Sequence, residues 1–345
     1  MNRSRPGRVR RRPIPAAAGR AAVTAVTAAV AGAAVLGLLA LTGCSGTASG
    51  ADPADGKGSG RLKVTASFYP LEFLVTRIGG AQVAVTDLTK PGVEPHDLEL
   101  APRQIAALSR ADVVVSLHGL QPAVDDAIKQ AGVKHQVDAA KLATTEDHGT
   151  EVDGRHHTTG SNGSGGGGDD AGADPHIWLD PVRYAQVAKG VGKALEAADP
   201  AHAAAFRRNT DTLVGRLNDL DARFRDGLRG RTSDTFITTH AAFGYLAERY
   251  GLVEEAINGI DPESEPSAAR MRSLQDLARS KGVTTVFFET LVSDKTAKTV
   301  AGDLHLRTDV LDPIEGITDK SKGTDYFQVQ QANLAALRTA LGVPR

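Results

Sequence analysis

From residue 61 onward the chain alternates short apolar runs with longer stretches in which apolar residues recur every three or four positions. Lys63–Phe68 (KVTASF), Val83–Leu88 and Asp112–Leu117 (DVVVSL) predict strands, and Leu71–Ile78 and Pro102–Arg110 between them have helical character. The pattern returns toward the C-terminus. Thr235–Thr239 (TFITT) and Thr284–Phe288 (TTVFF) read as short buried strands, accompanied by helical Ala268–Ser280 and Asp325–Leu341. Strands alternating with helices predict an α/β fold of two lobes, each a mainly parallel sheet flanked by helices.

Between the lobes the period is purely helical. Pro181–Ala198 reads as one helix and Pro200–Arg229 as a second. Along the second, Phe206, Leu213, Leu217, Leu220, Phe224 and Leu228 form a single stripe. Pro200 suits a first turn and Gly230 a C-terminal stop. A helix of that length would span about 45 Å, which predicts one long rigid helix joining the lobes. The expected organisation is an N-terminal lobe over 61–199, a linking helix over 200–230 and a C-terminal lobe over 231–345.

The N-terminus has a different pattern. Seven arginines between Arg3 and Arg20 precede the Ala/Val/Leu-rich stretch Ala21–Leu41, the order of an export signal. Leu41-Thr42-Gly43-Cys44 resembles a bacterial lipobox, with Cys44 as the lipid attachment site. The alternative is a plain signal peptide with an incidental cysteine. Residues 1–43 are therefore expected to be a lipoprotein signal peptide and 44–60, small and Gly/Ser-rich, a flexible tether. Acyl chains would hold an exported protein at the outer face of the cell membrane, in contact with the lipid bilayer.

Charge and cysteine count narrow the function. The formal net charge is -1, but without the leader's arginines 33 basic side chains face 41 acidic ones, about -8. This excludes a broad basic surface for nucleic acid. A single cysteine excludes an intrachain disulfide and a cysteine-based zinc site.

Thr145–Asp174 is Gly-rich and acidic, with His148, His156 and His157, and is expected to be a disordered His-containing loop. It reads either as a solvated insertion or as an outer metal-collecting loop. Of the ten histidines, three sit in unusual settings. His96 lies in GVEPHD, His176 in DPHIWLDP with the only tryptophan, and His240 directly after TFITT. A side chain at the C-terminal end of a parallel strand points into the crevice where α/β folds bind ligands. Asp312, in LDPIEG, is a fourth candidate. No HExxH spacing is present, which counts against a metallohydrolase.

Taken in order, GVEPHDLELAPRQIAALSRADVVV, DPHIWLDP, TTHAAFGYL, GIDPESEPSAARM, FFETLVSDKTAKTVA and VLDPIEG resemble the metal-binding solute-binding lipoproteins of bacterial ABC transporters, the zinc/manganese cluster. The resemblance covers essentially all of 61–345. It implies two lobes with the metal between them, His96 and His176 as ligands from the first lobe, His240 from the second, and Asp312 as a carboxylate ligand or just outside the ligand set. Manganese members tend to carry a carboxylate where this chain has His240. A nitrogen-rich, nearly tetrahedral donor set suits Zn²⁺, while manganese prefers more oxygen ligands. The resemblance therefore implies a monomeric, non-enzymatic, zinc-specific capture protein that hands Zn²⁺ to a membrane permease. The chain has no GxxxxGK[ST] loop, so a separate ATPase would supply energy. Alternatives are a manganese or iron binder of the same type, a zinc-dependent hydrolase and a surface adhesin. Where the family usually has Asn-Gly, this chain has His118-Gly119, which makes His118 an alternative ligand, a partner of one, or an edge-of-cleft residue. Glu94 and Glu289 are possible partners of the ligand imidazoles.

Overall fold

The first half of the chain builds a parallel sheet from β1 (Leu62–Ala66), β2 (Val83–Asp87), β3 (Val113–Ser116) and β4 (Gln136–Asp138), in the order β2-β1-β3-β4. Val64 pairs with Val85 on one side and Val113 on the other. The crossovers are α1 (Tyr69–Gly79), α2 (Pro102–Arg110) and α3 (Pro122–Ala131). Two helices then run through the middle, α4 (Pro181–Ala198) and α5 (Ala203–Gly227). The second half repeats the plan with β5 (Thr235–Thr238), α6 (Gly244–Tyr250), β6 (Val253–Ala256), α7 (Ala268–Lys281), β7 (Thr285–Phe288), α8 (Lys295–Leu304) and β8 (Arg307–Val310), followed by α9 (Tyr326–Ala340). Its sheet order is β6-β5-β7-β8, again all parallel. This computed structural model describes residues 60–133, 135–148 and 173–344, all within one compact unit, Gly58–Arg345. The expected signal peptide, Cys44, the tether to residue 59, and His156 and His157 lie outside the described residues.

Alternation along the strands sorts side chains onto two faces. In the first sheet Val113 and Val115 enter the largest core cluster, whereas Val114 turns to a smaller one with Leu108, Val124 and Ile128 of α2 and α3. In the second, Phe236 and Phe287 join the large cluster while Ile237 and Val286 pack with Leu274, Ala278 and Val300 of α7 and α8. The large core therefore takes one face of each sheet, with α4, α5 and α9 between them.

The long helix is shorter than its sequence pattern predicts, 25 residues over Ala203–Gly227, about 37 Å. Pro200 and His202 belong to the turn before it, where His202 pairs with Asp199 at 2.5 Å, and Gly230 takes a left-handed φ of 71° two residues beyond the cap. The predicted stripe is buried: Phe206, Leu213, Leu217, Leu220 and Phe224 all face the core. α4 crosses α5 closely because Gly192 has no side chain; a Cβ there would lie 2.3 Å from Thr210 Oγ1.

Two roots of the Gly-rich segment differ from the expected mobile loop. Glu146, His148 and Asp174 are buried. Tyr245 of α6 clasps them: Glu146 N donates to its hydroxyl at 2.8 Å, and the hydroxyl donates to the Asp174 carbonyl at 2.7 Å. Gly244 makes room for the His148 ring, since a Cβ would stand 2.6 Å from its Cγ.

Candidate metal centre

In both sheets the strand order reverses at the middle, between β1 and β3 and between β5 and β7. Crevices beyond the carboxyl ends of strands at such switch points bind ligands in α/β folds. His240 sits two residues past β5 and Glu289 immediately after β7. From the other lobe come His96, on the irregular segment after β2, and His176, which precedes a single 3-10 turn, Ile177–Leu179, that leads into α4.

Among the described residues, His96, His176, His240 and Glu315 each offer one ligand atom, all within 4.8 Å of one another. Glu315 Oε1 lies 3.4 Å from His96 Nε2, 3.3 Å from His176 Nε2 and 3.6 Å from His240 Nε2. A tetrahedral ion with bonds of about 2.0–2.1 Å sets its donors about 3.3–3.4 Å apart. All three Nε2 atoms and both Glu315 oxygens are buried without a hydrogen-bond partner, although buried polar atoms are normally paired. Four converging buried donors that satisfy nothing else fit a divalent ion.

Two rings are aimed by carboxylates behind them. Asp174 Oδ1 accepts from His176 Nδ1 at 2.7 Å and from the His176 backbone at 2.9 Å. Its Oδ2 pairs with His148 Nδ1 at 2.8 Å. Glu289 Oε1 accepts from His240 Nδ1 at 2.8 Å and from the Thr239 hydroxyl at 2.6 Å. Protonating Nδ1 in this way turns Nε2, with its lone pair, toward the centre. Glu94 stands beside the site; its Oε2 accepts from Asp97 N at 3.2 Å, and burial, with the Glu315 charge, raises its carboxyl to about 7.

Electrostatics follow from this packing. Burial opposes charge on Glu315, but the three imidazoles facing it hold it well below the usual carboxylate range. His176 is disfavoured as a cation by burial, yet Asp174 and Glu315 raise it to about 9. His240 is raised in the same way by Glu289 and Glu315. A cation and protons therefore compete for His176 and His240.

Asp312 stands outside the group. Its Oδ1 accepts from Ile314 N at 2.8 Å, its Oδ2 from the Thr290 hydroxyl at 3.2 Å, and its main chain is held at both ends by Asn333. These bonds build a tight turn in which Ile314 adopts a left-handed φ of 59°, costly for a β-branched residue. Trp178 Nε1 braces the turn from the first lobe by donating to Pro313 O at 2.7 Å. The carboxylate expected from Asp312 is thus engaged in shaping the turn, and Glu315 is the acid that joins the imidazoles. In sequence both acids sit in one Asp-Pro-Ile-Glu run, and no spacing rule distinguishes them.

His118 is also elsewhere, paired with Asp125 at 3.0 Å near the start of α3. A second group, Glu146, His148 and Glu248, comes together among the described residues. There Arg183 already supplies a cation, donating to Glu146 at 2.6 Å, Glu248 at 3.2 Å and Asp180 at 2.8 Å.

A family model described as zinc-uptake complex component A, periplasmic, matches residues 64–340. The chain is similar to the zinc-binding protein AdcA of Streptococcus pyogenes serotype M3, 33% identical over 296 residues, which cover 82% of this chain and 57% of AdcA. It thus spans little more than half the length of that relative. The high-affinity zinc uptake system protein ZnuA of Bacillus subtilis is 32% identical over 298 residues, 84% of this chain and 90% of ZnuA. In structure it is similar to the Zn(II)-bound ZnuA-like domain of Streptococcus pneumoniae AdcA, with a TM-score of 0.67 and 28% identity over 82% of this chain and 99% of that one.

Proposed function

The chain belongs to the family of periplasmic zinc-uptake components A, and from that membership we propose that it captures Zn²⁺ outside the cell membrane and delivers it to an ABC permease. Zinc is the cargo, held between the lobes by His96, His176, His240 and Glu315, and it is bound and released without catalysis. One observation carries this reading: four buried donor atoms lie within 4.8 Å of one another, the Glu315 oxygen 3.3–3.6 Å from each imidazole nitrogen, and have no other partner. Three nitrogens and one oxygen favour Zn²⁺ over manganese, which takes more oxygen ligands. The proposal extends to the N-terminus. Residues 1–43 direct export, Cys44 carries the lipid anchor, 44–60 tether a monomer to the outer face of the membrane, and α5 links lobes over 61–199 and 231–345. Anchoring raises the effective concentration of the loaded protein at the permease.

The test is competitive titration of the metal-stripped mature chain, from residue 44 with Cys44→Ser, against Zn²⁺ and Mn²⁺. One tight zinc per chain that manganese displaces poorly supports the proposal. Manganese binding as tight as zinc would reassign the cargo, and no tight metal would refute the site.

A pH prediction follows from the raised imidazoles. A histidine raised in the folded state stabilises the protein fully below its unfolded pKa of about 6.5. That contribution is lost as pH rises through about 9 for His176. Zinc binding has the opposite trend, because it needs deprotonated imidazoles. The gain in Tm from saturating zinc should therefore widen as pH is raised from about 6.5 to about 9, read by thermal scans with and without metal. A constant gain would contradict the proton displacement.

A further inference from the structure

Strand β6 contains two consecutive glutamates, and the zinc site uses neither. Neighbours in a strand point to opposite faces. Glu255 turns to the α7 face and pairs with Arg270 of α7 at 3.0 Å. Glu254 turns inward and is completely buried, on the same face as Phe236, its partner across the ladder. A carboxyl group there is costly unless its oxygens are bonded, and both are. Oε2 accepts from Phe243 N at 3.0 Å, and Oε1 lies 2.7 Å from the Thr238 hydroxyl.

These two partners flank His240. Thr238 ends β5 two residues before it, and Phe243 begins the approach to α6 three residues after it. The Thr238 hydroxyl also lies 3.0 Å from the His240 carbonyl oxygen. A threonine hydroxyl has one proton, which cannot serve both the His240 carbonyl and Glu254. The His240 carbonyl also accepts from Ala242 N at 3.0 Å, and the close approach of the Thr238 oxygen to both other oxygens is best met when Glu254 carries a proton on Oε1. Then Glu254 donates to Thr238, Thr238 donates to the His240 carbonyl, and Oε2 accepts the Phe243 N–H. Burial favours this state: it is the largest influence on the Glu254 carboxyl and, with the Asp174 charge adding to it and the His240 charge opposing it, raises it to about 7.

We propose that Glu254 is a positioning residue for the metal site, a neutral acid whose two oxygens clamp the Thr238–Phe243 turn and so hold the His240 main chain where its ring can reach zinc. Glu289 fixes the direction of the ring and Glu254 the backbone beneath it. The inference rests on the zinc reading above.

The test compares the full mature chain with Glu254→Gln, Glu254→Leu, Thr238→Val and the Leu/Val double variant. Zinc affinity is measured by chelator competition and the ligand field by the visible spectrum of the Co²⁺ form. A glutamine amide can donate to Thr238 and accept from Phe243, so Glu254→Gln should keep the wild-type affinity and spectrum. Glu254→Leu should weaken zinc binding about tenfold or more, as removal of an outer partner of a ligand does, and alter the Co²⁺ bands. Thr238→Val breaks the same relay and should do likewise, with the double variant no worse than either single one. If Glu254→Leu does not fold, Thr238→Val, which exchanges one hydroxyl for a methyl group, carries the comparison. Glutamine as damaging as leucine would show that Glu254 acts through its charge and overturn the proposal, as would wild-type affinity in both Glu254→Leu and Thr238→Val. Wild-type protein without a tight zinc would instead refute the zinc reading itself.

Discussion

Replacing His240 with alanine should weaken zinc binding by roughly two to three orders of magnitude. Structural four-ligand zinc sites bind with apparent free energies of about 10–16 kcal/mol, so one donor of four accounts for roughly 3 kcal/mol. His240 is also the only imidazole the second lobe contributes to the group, and without it an ion would touch that lobe through Glu315 alone. Alanine has a further cost in the metal-free protein. It leaves the buried Glu289 carboxylate with the Thr239 hydroxyl and without its His240 partner, a loss of about 1–3 kcal/mol. His240→Asn separates the two effects. Its amide can donate to Glu289 as Nδ1 does, yet it has no atom where Nε2 reaches the centre. Metal-free Tm should fall for alanine and hold for asparagine, while both variants lose tight zinc in chelator competition. Wild-type zinc affinity in His240→Asn would remove His240 from the ligand set.

The second large effect is expected at Glu315. Glu315→Gln removes the one anionic donor, itself buried, from the group and should weaken zinc at neutral pH by roughly 100-fold, since an amide oxygen offers neither the charge nor the basicity of a carboxylate. The same change should alter proton release. Glu315 is one of the groups that raise His176 and His240, so without it the metal-free imidazoles hold their protons less tightly. Zinc binding should then release fewer protons, measurable by calorimetry in buffers of different ionisation enthalpy. Asp312→Asn is the matched control, because an asparagine oxygen can still accept from Ile314 N and keep the turn. Loss of zinc in Asp312→Asn with full binding in Glu315→Gln would reverse the two roles.

Of the strands visible from sequence, all but the edge strand β2 share a physical property. β1, β3, β5 and β7 occupy the two central positions of their sheets, are largely buried and read as apolar runs. The strands that the pattern did not indicate are the edges β4, β6 and β8. β4 has three residues, β8 (RTDV) is half exposed, and β6 (VEEA) hides its signal behind Glu254 and Glu255. An edge strand is held by one neighbour and needs less apolar surface, so it leaves a weaker imprint on the chain. The stripe of α5 was fully legible, but its ends were not, because the turn at Pro200–His202 is set by local hydrogen bonds rather than by period.

At the site, sequence alone determined the three imidazoles as candidates: each follows a recognisable element or motif, and each lies in the group the fold assembles. Sequence also determined the lobe plan, which follows from local periodicity repeated twice. Only the tertiary structure decided which acid joins them. Asp312 and Glu315 lie three residues apart in an irregular turn, where side-chain direction follows no repeat. That direction is imposed by Asn333, 21 residues along the chain, by Trp178, 135 residues back from Pro313, and by the left-handed Ile314 they hold in place. Contacts of that range exist only once the core has closed, so the turn's outcome is a property of the fold and not of the segment that forms it.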